Sequence, residues 1–312
     1  MFYQMESSLF DIELINKRIT ESPREFVIGC EEIFSNEIEN TADEIAKSGA
    51  RLVMLTGPSS SGKTTLSHRL CEELFERGIT SAVISLDNFY RSKDEMKQLK
   101  ITDFESVEAI DTDLLREKLT ALCEGKRVYL PTFDFISSKR IENSRELCLS
   151  EKSVAIVEGI HALEPKVLEM LPRGSFIKMF ITGDSDYTLK GETVLKGSQV
   201  RLLRRAVRDS RTRNADAELT LSFWNGVKRG ERLYINPLAD TADIKLVTAF
   251  PFDPAALKRR ATELFSEVKE ESENYERARK VLSALKYFKE LDGSLIPDYS
   301  LTREFIGGSK YK

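Results

Sequence analysis

The stretch Arg51-Leu52-Val53-Met54-Leu55-Thr56-Gly57-Pro58-Ser59-Ser60-Ser61-Gly62-Lys63-Thr64-Thr65 decides the fold. Its first six residues form a short apolar run and predict a buried strand. Residues 57–64 fit G-x-x-x-x-G-K-[ST] in full. A helix from about Lys63 to Arg77 follows, with Gly78 as its stop signal. Strand, glycine-bounded turn and helix, in that order, make a phosphate cradle. Glycine allows the tight turn, and the N–H groups of the turn point inward at a phosphate. The helix adds the positive end of its dipole. Gly57, Ser59, Ser60, Ser61, Gly62, Lys63, Thr64 and Thr65 are therefore the candidate nucleotide-binding residues. Lys63 would place its charge on the β/γ oxygens, and the Thr64 hydroxyl is a candidate Mg²⁺ ligand.

Outward from this stretch, residues 24–48 predict an amphipathic helix that Gly49 ends. Residues 80–86, 153–158, 175–181 and 242–248 predict further strands. Helices are expected over 111–124, about 196–210, roughly 216–230, and through the charged stretch 254–290. Short β-like pieces broken by polar turns fill 126–150. Strands alternating with helices imply a parallel sheet covered on both faces, an α/β three-layer sandwich. Ligands in such sheets bind at the carboxyl ends of the strands.

Two acids stand at such ends. Asp87 directly follows the strand over 80–86, and Glu158 closes the strand over 153–158. Both strands are predicted neighbours of the P-loop strand, which would turn two carboxylates toward a γ-phosphate. Phosphoryl transfer uses acids there to hold Mg²⁺ and to accept the proton of an attacking hydroxyl. Asp87 is read as the general base with a share in the metal shell, and Glu158 as a Mg²⁺ ligand; the sequence leaves an exchange of these roles open. The plainer alternative for either acid alone is a solvated loop carboxylate or a helix cap.

Arg201, Arg204, Arg205, Arg208, Arg211 and Arg213 fall within thirteen residues, and at helical spacing the first four share a face. A solvated face and a polyanion patch compete with a lid over about 201–216. Beside a P-loop the lid is favoured, because the guanidinium fork binds phosphate oxygens bidentately.

Composition narrows the rest. The 312 residues are 41% hydrophobic and 31% charged, with a net charge of -4. That balance gives no general pull toward nucleic acid or membrane. No apolar run reaches the roughly 18 residues that span a bilayer, and the amino terminus carries acids where a signal peptide needs a basic start. Cys30, Cys71, Cys123 and Cys148 are scattered, and His68 and His161 are too few for a His-based metal site. Reduced thiols and a cytoplasmic location are expected, with a small-molecule acceptor and with neither nucleic acid nor membrane as partner. A homo-oligomer is compatible with the sequence. A GTPase switch would carry Asn-Lys-x-Asp, which is absent. An ATP-binding regulator without turnover would lack the strand-end acids, and both are present.

At this point GPSSSGKTT, LDNFYR, LPTFDF, VEGIHAL, RLLRRAVRDSRTR and the run from Arg229 through YINPLADTADI resemble the uridine kinase and phosphoribulokinase family over about residues 50–255. The resemblance implies a kinase that uses ATP and Mg²⁺ to phosphorylate a hydroxyl. It implies Asp87 as base, Thr64, Asp87 and Glu158 around Mg²⁺, Tyr90 near the substrate, Arg205 near ribose hydroxyls, and Arg208 and Arg213 on phosphates. Uridine kinases read the pyrimidine with a Tyr, a His and an Arg, where this sequence has Phe133, Ser138 and Ala215. The ribose-holding Phe-Asp-His-Pro appears here as Phe104-Glu105-Ser106-Val107, which keeps an acid in Glu105. The family also holds kinases of sugar phosphates and other small alcohols.

The expected organisation is an N-terminal helical extension over 1–48, a P-loop kinase domain over 49–255 with a substrate flap at about 126–150, and a C-terminal helical extension and tail over 256–312. Uridine and cytidine are expected to be poor acceptors. The ending Leu301-Thr302-Arg303-Glu304-Phe305-Ile306-Gly307-Gly308-Ser309 reads as a surface tail tied down by Phe305 and Ile306; a contact with the active site or a partner subunit is the alternative.

Overall fold

The computed structural model describes residues 9–103, 105–134, 137–169 and 171–311. A short strand, β1 (Leu9–Asp11), leads into helices α1 (Ile12–Glu21) and α2 (Pro23–Ser48). Asp11 caps α1 by accepting from the Leu14 N–H at 2.8 Å. Pro23 opens α2 and left-handed Gly49 ends it. The P-loop strand is β2 (Leu52–Thr56), followed by α3 (Lys63–Glu76) and β3 (Thr80–Ser85). Helices α4 (Lys93–Gln98) and α5 (Thr112–Cys123) precede a hairpin, β4 (Val128–Asp134) and β5 (Lys139–Leu147). Next come β6 (Ser153–Glu158), α6 (Pro165–Leu168) and β7 (Phe176–Thr182). A second hairpin, β8 (Asp186–Leu189) and β9 (Glu192–Leu195), leads to α7 (Gly197–Thr212) and α8 (Ala217–Gly230). The last strand is β10 (Ile244–Val247), and α9 (Asp253–Ser266), α10 (Tyr275–Leu285) and the single turn α11 (Arg303–Ile306) complete the chain.

The central sheet has the order β10-β7-β2-β6-β3 with every pair parallel. This corrects one expectation. Only the Glu158 strand neighbours the P-loop strand, and the Asp87 strand lies one place further out. All six residues of β6 are buried, whereas β3 is largely half-exposed. The fully buried strand takes the covered inner place and the more exposed one takes the edge. The register still gathers the site, because Glu158 pairs with Leu55 on one side and Ser85 on the other. Gly57 and Asp87 each stand two residues beyond that row.

Alternation along β2 divides the core. Val53 and Leu55 face one buried cluster, and Leu52 and Met54 face the other. The first cluster also takes Ile15, Phe34, Phe265, Phe288, Leu301 and Phe305. The terminal stretches are thus packed onto one face of the sheet rather than hung from it. The helical stretch expected over 254–290 is interrupted between Ser266 and Tyr275. The hairpin β8–β9, which pairs with β1, has no counterpart in the sequence reading.

Candidate active site

The P-loop is shaped from behind. Gly62 sits at φ 86°, and a Cβ there would also run into Leu301, so glycine is needed on two counts. Arg201 Nη1 donates to the Ser59 carbonyl at 3.0 Å, Arg204 Nη1 to the Ser60 carbonyl at 3.2 Å, and Thr248 Oγ1 to the Ser61 carbonyl at 2.6 Å. These bonds fix three of the loop's carbonyls, while the Ser61 N–H turns back to the Pro58 carbonyl at 3.3 Å; a turn fixed this way suits an anion. Lys63 Nζ rests on the Gly57 and Pro58 carbonyls at 2.8 and 3.3 Å.

The six arginines do not act as one lid face. Arg201 and Arg204 are fully buried. Arg201 forks between Asp184 at 2.8 Å and Glu231 at 2.6 Å, and Arg204 meets buried Asp253 and the Thr248 carbonyl. Arg211 donates to the Phe305 carbonyl at 3.0 Å. Only Arg205, Arg208 and Arg213 line the cavity. The helical spacing was legible, but not which turn of α7 is buried and which opens on the cavity.

That cavity holds about 520 Å³. The P-loop residues Ser59, Ser60, Gly62, Lys63 and Thr64, the acids Asp87 and Glu158, and Arg205, Arg208 and Arg213 all line it. Tyr90, Glu105, Phe133 and Ser138 line it as well. Gly57, Ser61, Thr65 and Ala215, also singled out from the sequence, are not among the lining residues. Ser61 is buried behind the loop, and Thr65 is engaged by Glu304. Phe104 lies outside the described residues. Arg91, Lys93, Met96, Gly159, Ile160 and Glu304 line the cavity without having been assigned a role.

The electrostatics follow from two acids in one enclosure. Burial and then the Asp87 carboxylate push Glu158 up to about 7, while Lys63 pulls it back. Burial raises Asp87 too, opposed by Lys63, Arg213 and Arg208. Burial lowers Lys63, opposed chiefly by Glu158 and Asp87. Such a set suits a divalent cation: two hard carboxylates that repel each other, with the Thr64 hydroxyl beside them. Among the described residues no group of three or more His, Cys, Asp or Glu could hold a metal. Phosphate or water oxygens would therefore complete the shell, the usual arrangement for Mg²⁺.

The hairpin β4–β5 contributes Phe133 to the lining. Asn88 Oδ1 accepts from the Phe133 N–H at 3.1 Å, tying the hairpin to the turn that carries Asp87. The Tyr90 and Phe133 rings lie 5.9 Å apart and tilted by 57°, with Met96 buried beside the cavity. Burial raises Glu105, and Arg205 opposes it.

The tail differs from the expected surface tail. Ser300, Leu301, Thr302 and Phe305 are fully buried, and Glu304 reaches the cavity. Gly307, at φ 97°, lies against the Arg211 guanidinium. No local signal gives this placement; the apolar spacing of Leu301, Phe305 and Ile306 was the only trace.

The profile of the Phosphoribulokinase / Uridine kinase family matches residues 52–251, more than half of the chain. This chain belongs to that family. A uridine kinase of Staphylococcus haemolyticus (strain JCSC1435) is 30% identical over 196 residues, 62% of this chain and 85% of the relative. A uridine kinase of Staphylococcus carnosus (strain TM300) is 30% identical over 197 residues, with the same coverage. A crystal structure from Silicibacter sp. TM1040, provisionally described as a fructose transport system kinase, superposes with a TM-score of 0.51 at 18% identity. It covers 67% of this chain and 98% of its own. Membership of the phosphoribulokinase and uridine kinase family makes the chain a P-loop kinase of a small metabolite. Among the described residues, no helix is long and apolar enough to cross a membrane.

Proposed function

We propose that the enzyme transfers the γ-phosphate of MgATP to a hydroxyl of a nucleoside or another ribose-like acceptor. One observation carries the reading: P-loop, paired acids, three arginines and the Tyr90 and Phe133 rings open on one cavity. Lys63 and the loop N–H groups hold the phosphates. Glu158, the more buried acid and the one beside the P-loop strand, would hold Mg²⁺ with Thr64, and Asp87 would share that shell. The ion would supply charge neutralisation at the phosphates. Asp87 lies in the turn after β3, next to the Asn88 that ties down the hairpin and three residues before Tyr90, so it takes the proton of the attacking hydroxyl. Its raised affinity for protons makes it a better base than an exposed aspartate. Arg208 and Arg213 neutralise charge on the transferring group. Glu105 and Arg205 hold vicinal hydroxyls, and Tyr90 and Phe133 flank the remainder of the acceptor.

Arg91 and Lys93 also reach the cavity, which favours a second reading in which the acceptor carries its own anionic group, as a sugar phosphate does. The test is ADP release by purified protein with nucleosides, pentose phosphates and other small alcohols. With Phe133 and Ser138 at the base-reading positions, uridine and cytidine should run roughly 10²-fold below the best acceptor in kcat/KM, near the cost of stranding a buried polar group. A kcat/KM above about 10⁴ M⁻¹s⁻¹ for either would contradict that discrimination.

A further inference from the structure

We infer that Glu304 is an internal stand-in for a nucleotide phosphate: its carboxylate holds the Thr65 donors while the site is empty and gives them up when a nucleotide binds. The inference rests on the nucleotide reading of the P-loop and concerns a segment beyond the residues 52–251 that the family shares.

Thr65 is the third residue of α3, where unpaired N–H groups and the helix dipole favour an anion. Glu304 Oε2 accepts from the Thr65 hydroxyl at 2.8 Å and from its N–H at 3.4 Å. Its other oxygen lies 4.0 Å from the Arg208 guanidinium. A carboxylate therefore sits at the phosphate end of the cavity, between the cradle and an arginine read as phosphate-binding. A nucleotide phosphate and this carboxylate cannot both hold the Thr65 donors, since two anions so close repel strongly away from bulk water.

The rest of the tail is fixed independently of Glu304. Leu301 and Phe305 are fully buried, the Thr302 hydroxyl donates to Asp253 at 2.8 Å, and the Phe305 carbonyl accepts from Arg211. Displacement thus requires a side-chain rotation and not release of the segment. The consequence is a fixed handicap on nucleotide binding, and a carboxylate ready to retake Thr65 as ADP leaves.

The experiment is calorimetric titration of the full-length protein and its Glu304→Gln variant with MgADP, MgATP and adenosine. Gln keeps the size and an acceptor for the Thr65 hydroxyl but removes the charge. MgADP and MgATP should bind about tenfold more tightly to the variant, with adenosine affinity unchanged; Glu304→Ala should move in the same direction. Unchanged or weaker MgADP binding overturns the inference. So does an equal gain for adenosine, which would make the effect steric. If nucleotides bind, are lost in Lys63→Ala and ignore Glu304→Gln, the nucleotide reading stands and this inference alone falls. If neither protein binds any nucleotide, both fall together.

Discussion

Arg204 and Arg208 stand one helical turn apart on α7 and meet opposite surroundings. Arg204 is fully buried against Asp253 and the Ser60 carbonyl. Arg208 lines the cavity, its side chain 18% exposed and bonded to Asp209. The first is part of the core that shapes the P-loop; the second is placed to meet substrate. One sequence motif therefore encodes two jobs, separated by position along the helix: the turn that carries Arg201 and Arg204 is buried, and Arg205, Arg208 and Arg213 beyond it meet the cavity.

The largest effect should come from breaking the buried member. Arg204→Met leaves Asp253 uncompensated in the core, and loss of one partner of a buried ion pair costs about 3–5 kcal/mol. Urea unfolding should show it; a loss below about 1 kcal/mol would mean Arg204 is not a core strut. Arg208→Ala should behave inversely. Its stability should fall much less, by about 1 kcal/mol, because Asp209 keeps Arg205 and Arg213 as partners. Its kcat should fall on the order of 10²-fold or more, the scale of a lost transition-state charge contact. Equal activity with lost stability would erase the contrast between the two arginines.

A smaller effect sharpens the same contrast from the acids of the cavity. Glu158 ordinarily titrates near 4.5 and is raised to about 7 in the fold. Between those values the folded protein keeps a proton that the unfolded chain releases. Its stabilising contribution is therefore complete below about 4.5 and lost as pH rises through about 7. Without Mg²⁺, stability should fall between pH 5 and 8 by on the order of 2 kcal/mol, and Glu158→Gln should remove most of that slope. Identical slopes in the two proteins would show that Glu158 does not carry it.

The P-loop, the alternation of strands and helices and the acids at strand ends were legible because each is written in neighbouring residues. Local apolar runs showed that β3 and β6 exist but not that β6 would take the place beside β2; that choice depends on burial from both faces. The hairpin β8–β9 escaped because its turn, Lys190-Gly191, lacks the Asn-Gly or Asp-Gly signal, although both residues adopt positive φ. The approach of Glu304 to Thr65 joins residues 239 positions apart, and no periodicity records such a meeting. The cavity's residue types could be read, while the division of the arginines required the packing of α7.

The most direct test of the proposed chemistry is acceptor-dependent ADP release by Asp87→Asn beside the parent, using the best acceptor from the metabolite screen. The Asp87 account predicts a kcat lower by about 10²–10⁴, the usual reach of general acid–base catalysis, with ATP affinity changed far less. A kcat within about threefold of the parent would contradict it, because a base whose removal costs less than 1 kcal/mol is not the base.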